Sequence, residues 1–111
     1  MDAAVVPGPY DLLVSAPDGI QRVQVKTTTL NTKDGWMVQV ARRPYSMGNN
    51  ALPIPYDPDE IDLFFIVDGD LTMYVIPMIA VAGRMRILLR SYKKYIVGNA
   101  SGLWAAASRV A

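Results

Sequence analysis

A pair of short alternating segments separated by a turn signal constrains this chain more than any other feature. Residues 10–15 and 20–29 alternate apolar and polar side chains, and Pro17, Asp18 and Gly19 lie between them. Proline, aspartate and glycine in succession are typical of a tight turn. The sequence therefore predicts a β-hairpin.

The register of this hairpin brings three polar side chains together. If Ser15 and Ile20 face each other across the turn, Asp11 lies opposite Gln24, with Lys26 diagonal to it on the same face. The other face carries only apolar side chains: Leu12, Val14, Val23 and Val25. We therefore expect a carboxylate, an amide and an ammonium group on a platform backed by hydrophobic packing.

These three groups suit metal-assisted hydrolysis of a phosphodiester. A carboxylate is a hard ligand for Mg²⁺, which keeps several waters, and the Gln24 carbonyl adds a neutral oxygen. Lys26 would stabilise charge on the phosphate or polarise the attacking water. The same spacing also occurs in ordinary strands, where Asp11 merely begins one strand and Gln24 and Lys26 are solvated on the other.

The absence of two residue types narrows the possible chemistry. The chain contains no cysteine and no histidine. This excludes disulfides, thiolate zinc sites, Ser-His-Asp and Cys-His catalysis, and histidine-dependent nucleases. A hydrolase of this composition has to use carboxylates, lysine and a hard metal ion.

The rest of the chain predicts further strands. Residues 36–41 read as a third strand in an antiparallel meander with the hairpin, and residues 42–58 as a proline-rich connection. The nearly continuous apolar run 61–67 predicts a central buried strand, and Asp68-Gly69 a hairpin turn before strand 71–76. Residues 78–82 and 91–96 predict short helices on either side of a strand at 86–89, and residues 100–111 are weakly amphipathic.

Four blocks in this order resemble the PD-(D/E)xK nuclease superfamily, nearest to the homing endonucleases associated with group I introns. The blocks are PYDLLV (9–14), IQRVQVKT (20–27), DEIDLFFIV (59–67) and MYVIP (73–77). The resemblance implies that Asp11 binds metal, that Gln24 occupies the position where most members carry Asp or Glu, and that Lys26 is the motif lysine. It also implies an α/β fold: a mixed, mainly antiparallel sheet of five or six strands with short helices.

The resemblance departs from the family at the N-terminus. Members usually begin with a helix that supplies another carboxylate, whereas here ten residues precede Asp11, with Pro7 and Pro9 among them and Asp2 as the one acid. The implied function is a Mg²⁺-dependent DNA endonuclease, homing-endonuclease-like or Holliday-junction-resolvase-like, with Mn²⁺ able to substitute. The alternatives are a catalytically inactive nuclease fold that binds nucleic acid or assists assembly, and a β-rich adaptor with no nucleic-acid role.

Basic residues are unevenly distributed. Residues 71–111 contain no acid, whereas acids crowd residues 57–70. A basic segment follows a phosphate backbone well, although it equally suits a solvated face that balances the acidic middle. The candidate DNA contacts are Arg42, Arg43, Arg84, Arg86, Arg90, Lys93 and Lys94. For Arg42 and Arg43, a plain proline-rich connector is the competing interpretation.

Length and hydropathy complete these expectations. With 111 residues, 51% of them hydrophobic, the sequence predicts one domain over residues 1–111 with a single core. The longest apolar stretch, 74–83, is too short to span a bilayer, and no secretory signal is visible. We therefore expect a cytoplasmic protein that works on DNA as a homodimer or larger homo-oligomer, because one site cuts one strand.

Overall fold

A computed structural model describes residues 3–5, 10–42 and 52–102 of the chain. The strands are β1 (Ala3–Val5), β2 (Leu12–Ala16), β3 (Gly19–Thr27), β4 (Asn31–Thr32), β5 (Gly35–Gln39), β6 (Ala41–Arg42), β7 (Ile54–Pro55), β8 (Leu63–Val67), β9 (Thr72–Pro77), β10 (Arg86–Leu88) and β11 (Ile96–Asn99). The helices are α1 (Met78–Val81) and a 3-10 helix (Leu89–Tyr95).

Six of these strands form the main sheet, in the order β1-β2-β3-β8-β9-β11. The β3–β8 pair is parallel, and the other neighbours are antiparallel. This confirms the predicted mixed, mainly antiparallel sheet with short helices. The apolar run 61–67 supplies β8, which lies in the interior of the sheet as expected.

The β2–β3 hairpin has the predicted register. Leu12 pairs with Val23, and Ser15 with Ile20. Gly19 has φ +130°, a conformation that a side chain disfavours, so a glycine ends the turn for steric reasons. Ahead of the hairpin, residues 3–5 form edge strand β1.

The predicted meander is wrong, because β5 belongs to a second sheet of order β10-β5-β4. Both edges of β3 are already occupied, one by β2 and the other by β8. Thr28 marks the point where the chain leaves the main sheet. Its hydroxyl donates to the carbonyl of Met37 and accepts from the amide of Leu30 at 3.1 Å.

The hydrophobic core lies between the two sheets. Phe64, Ile66 and Ile76 of the main sheet are fully buried, and Val38 and Ile87 of the second sheet are each 4% exposed. Tyr56, Ile61, Val81 and Leu89 join them. The second sheet and the short helices therefore cover one face of the main sheet.

A buried aspartate organises the turn between β8 and β9. One Asp68 oxygen accepts from the amides of Asp70 and Thr72 at 2.9 and 3.0 Å, and the other accepts from the Tyr74 hydroxyl at 3.1 Å. Burial, with the neighbouring Asp68, raises the pKa of Tyr74 to about 12. The turn predicted at Asp68-Gly69 is thus confirmed, and Leu71 completes it with φ +65°.

Within the ranges the structure describes, no helix is long and apolar enough to cross a membrane.

Candidate active site

The hairpin brings Asp11 against Gln24. The Gln24 Nε2 donates to Asp11 Oδ2 at 2.9 Å, and the backbone amide of Val25 donates to the same oxygen at 3.0 Å. The Asp11 amide in turn donates to the carbonyl of Val23 at 2.9 Å. The carboxylate is therefore held at the open end of the hairpin, beside the side-chain amide of Gln24, as the register predicts.

Lys26 lies on the same face as this pair. Gln24 and Lys26 are two residues apart on β3, so their side chains point to the same side of the sheet. Phe64, the partner of Gln24 in the parallel β3–β8 ladder, points to that side as well. The ring of Tyr56 packs edge-on against Phe64 with centroids 5.4 Å apart. The Lys26 Nζ lies 5.0 Å from the centroid of that same Tyr56 ring. The carboxylate, the amide and the ammonium group thus share one face.

The hydrophobic support of this site differs from the expectation. Phe64 and Ile66, the register partners of Gln24 and Lys26, belong to the buried core. The core therefore lies beside the site on its own face, and not behind it. The opposite face carries a shallow apolar depression of about 430 Å³, and the residues of that face which line it include Leu12, Val14, Val23, Leu63, Phe65 and Val75. The core lies on the same face as the polar groups because the second sheet packs against that face.

An ion pair next to the site was not predicted from the sequence. Arg22 Nε donates to Asp62 Oδ2 at 3.0 Å and Nη2 to Oδ1 at 3.0 Å, while the Arg22 backbone amide reaches Oδ2 at 2.8 Å. The guanidinium also donates to the carbonyl of Asp59. These hydrogen bonds hold the pKa of Asp62 below its usual range and raise that of Arg22.

The position of this pair explains its structural effect. Arg22 is on β3 two residues before Gln24, and Asp62 directly precedes β8. The Asp62 amide also donates to the Arg22 carbonyl at 2.9 Å. The pair therefore fixes β8 in register beside the strand that carries Gln24 and Lys26. The signal in the sequence from which this pair could be suspected is an acid, Asp62, directly before the apolar run 63–67.

Tyr56 is the other neighbour that the sequence did not reveal. It follows β7 in the proline-rich segment and is 6% exposed. Nothing in the spacing of that segment indicates that one ring will reach both Phe64 and Lys26, because the contact depends on how the connection folds back over the main sheet.

The oxygen donors present are of the kind that a hard divalent ion uses. Asp11 Oδ1 accepts no hydrogen bond from the described residues, and the Gln24 side chain, whose Nε2 donates to Oδ2, carries a further oxygen ligand on its amide. Mg²⁺ needs only one or two protein carboxylates when water supplies its other ligands. Within residues 10–42 and 52–102, no three acidic, histidine or cysteine side chains cluster, so the fit rests on one carboxylate and one amide.

The predicted DNA contacts fall in different surroundings. Arg84 and Arg86 line one depression of about 370 Å³. Arg90 lies 3.6 Å from Asp34, and Arg42 lies 3.8 Å from Glu60. Lys93 is exposed, as is Lys94, whose Nζ lies 5.1 Å from the centre of the Tyr95 ring. Arg43 lies outside the described residues, so its predicted role is not addressed by the structure.

Comparisons with known proteins indicate the family and the fold. A family model described as PD-(D/E)XK endonuclease matches residues 7–108. Among solved structures, the bacterial homing endonuclease I-Ssp6803I is similar, with 24% sequence identity and a TM-score of 0.59 over 78% of this chain. The alignment covers 62% of that protein, and at this identity it shows a shared fold. A search of curated protein sequences found no significant match.

Proposed function

Since the chain belongs to the PD-(D/E)XK endonuclease family, we propose that it is a metal-dependent DNA endonuclease that hydrolyses phosphodiester bonds. The observation that carries the proposal is the 2.9 Å hydrogen bond from Gln24 to Asp11 across the hairpin, with Lys26 on the same face. The hairpin thereby carries on one face the three groups to which we assign this hydrolysis.

Each residue has a distinct role. Asp11 is the anionic ligand, and the two donors at its Oδ2 hold the carboxylate while Oδ1 accepts no hydrogen bond from the described residues. Gln24 holds Asp11 and contributes its amide oxygen. Lys26 places a positive charge where negative charge develops on the phosphate, and it positions the attacking water.

Asp11 and Gln24 would hold the metal ion, which we propose is Mg²⁺, with Mn²⁺ as a substitute. When bound, a divalent ion in such a site polarises the phosphate and lowers the pKa of a bound water. A single carboxylate gives weak affinity, so the site depends on water ligands and on the phosphate itself. We therefore expect slow cleavage.

The basic side chains would hold the DNA backbone. We propose phosphate contacts by Arg42, Arg43, Arg84, Arg86, Arg90, Lys93 and Lys94. Arg42 and Arg90 already have acidic partners within 4 Å, so their contribution should be smaller than that of the exposed Arg84 and Arg86. The substrate is duplex or branched DNA, cut at a specific site as by a homing endonuclease or at a junction as by a resolvase. A homodimer or larger homo-oligomer would cut both strands.

A second function is favoured by one observation. Among the described residues, Asp11 belongs to no cluster of three or more acidic, histidine or cysteine side chains. A nuclease fold with a single carboxylate would bind DNA without cutting it, as a nucleic-acid-binding or assembly protein.

The experiment that separates these two functions measures binding and cleavage together. Supercoiled plasmid and a four-way junction are incubated with the protein in Mg²⁺ or Mn²⁺. Asp11→Ala should abolish cutting with DNA binding nearly intact, and Lys26→Ala should slow cutting about a hundredfold. Gln24→Glu should preserve or raise the rate, because it supplies a second carboxylate.

The exposed Asp18→Ala at the hairpin turn is the matched control and should cut normally. Wild-type protein that binds both substrates and cuts neither in either metal would reject the endonuclease in favour of the binding protein.

A further inference from the structure

The pair of strands β5 and β10 has one buried and one exposed side. Val38 pairs with Ile87, and both are 4% exposed in the core. The neighbouring residues in the register therefore point outward. Gln39 and Arg86 lie directly opposite each other on that outer side, and both are exposed. We call this outer side, formed by Met37, Gln39, Arg86 and Leu88, the ribbon face.

Two depressions meet on the ribbon face. One, of about 290 Å³, includes Gln39, and the other, of about 370 Å³, includes Arg84; Met37 and Arg86 line both. Ser91 and Tyr92 border the second depression with a hydroxyl and an aromatic ring. The surface is thus grooved, with polar and apolar side chains side by side.

The charge of the ribbon face is positive. Arg84 and Arg86 project from it, and Arg90 borders it at Gly35, whose added Cβ would lie 3.9 Å from Arg90. Asp34 is the acid at this border, and it already pairs with Arg90 at 3.6 Å. Among the described residues, the side chains of Gln39 and Arg86 take part in no hydrogen bond and no ion pair. The face therefore complements an anionic partner that offers hydrogen-bonding groups.

We propose that the ribbon face reads base edges in the major groove of duplex DNA, with Arg86 and Gln39 as specificity-determining residues. Arg86 would then contact a base edge instead of a phosphate. The inference rests on the proposed function, because it concerns the same DNA. The major groove admits a two-stranded antiparallel ribbon. Arginine pairs with the two acceptors of guanine, and glutamine pairs with the acceptor and donor of adenine.

The register sets the spacing of the two contacts. Directly opposed residues in an antiparallel pair have Cβ atoms about 5 Å apart. Base pairs are stacked about 3.4 Å apart, so two long side chains at this separation reach neighbouring base pairs. Met37 and Leu88, which are opposite each other two pairs along and on the same side, offer apolar contact to a thymine methyl group. Arg84, just before β10, is positioned to contact the phosphate backbone.

The test is selection of binding sites from a randomised duplex library, with EDTA present so that nothing is cut. Wild-type protein should enrich a motif. Arg86→Lys keeps the charge but loses the planar fork, so it should relax one motif position while non-specific affinity is retained. Gln39→Ala should relax a neighbouring position. Each change should weaken binding to the selected site by about ten- to a hundredfold.

Arg84→Ala is the matched control. It should weaken binding to all sequences alike and lower the slope of log affinity against log salt by about 0.9. Wild-type enrichment of a motif that Arg86→Lys and Gln39→Ala leave unchanged would overturn the inference and leave the endonuclease intact. Binding of all sequences alike, with no enriched motif, would also overturn the inference and leave the proposed endonuclease intact. No binding to any duplex would overturn the inference, and the proposed function would then be decided by binding and cleavage of the four-way junction.

Discussion

The contact between Lys26 and Tyr56 gives the sharpest test of how the site is held. The ammonium lies 5.0 Å from the ring centroid, and the ring is 6% exposed and packed edge-on against Phe64. Tyr56→Leu removes the aromatic face while it keeps an apolar side chain against Phe64. Tyr56→Phe keeps the ring and removes only the hydroxyl.

The magnitude follows from this geometry. A half-buried ammonium over a ring gains about 0.5–1 kcal/mol. Tyr56→Leu alone will cost more than that, because the edge-on aromatic contact with Phe64 is lost as well. A double-mutant cycle with Lys26→Met separates the two effects, since Met retains the length of the lysine stem without its charge. Urea unfolding should give a coupling free energy of about 0.5–1 kcal/mol between positions 26 and 56.

Cleavage provides a second measurement of the same contact. If the ring positions the ammonium, Tyr56→Leu should slow single-turnover cleavage by at least the factor of about two to five that corresponds to this energy. DNA affinity should be unchanged, and Tyr56→Leu should add nothing when Lys26 is already Met. Tyr56→Phe is the control and should behave as wild type. Additive losses, with coupling below about 0.3 kcal/mol, would refute the positioning role of Tyr56.

Two further predictions concern stability. Gly69→Ala would place a Cβ 2.7 and 2.9 Å from Cζ3 and Cζ2 of Trp36; urea unfolding should show a loss of about 1–3 kcal/mol, whereas Gly102→Ala, which meets open space, should be neutral. Because Arg22 lowers the pKa of Asp62, the pair stabilises the fold above the unfolded-state pKa of about 3.9, and this contribution is lost as pH falls through the lower folded-state pKa. Asp62→Asn should therefore unfold more easily than the wild type at pH 7 and lose less stability between pH 5 and 2. A loss over this pH range as large as that of the wild type would contradict the assignment.

The local part of the site was predictable from the sequence, and the long-range part was not. The hairpin register follows from a turn and an alternating pattern within sixteen residues, 11–26, so Asp11, Gln24 and Lys26 could be grouped. The meander failed because the second edge of β3 is taken by β8, from far along the chain. Hydrophobic alternation fixes which face of a strand is apolar, but not which strand becomes its neighbour.

The same distinction explains the misplaced core. Val23 and Val25 are as apolar as Phe64 and Ile66, and no pattern within the hairpin says which face the second sheet will cover. The Tyr56 contact and the Arg22–Asp62 pair likewise depend on how the segment 28–62 folds back. Their partners lie 30 and 40 residues apart along the chain, beyond the reach of local periodicity.

The parallel pairing of β3 with β8 also sets the order in which the molecule can assemble. The β2–β3 hairpin closes a turn of two residues, and hairpins form within microseconds. Val23 and Leu63 meet only after a far longer loop has closed, at an entropic cost that grows with loop length. Asp11 and Gln24 therefore lie within a unit that can form early. The chain can bring its polar groups together before its hydrophobic core exists, and slow, non-local strand pairing is left to set the folding rate.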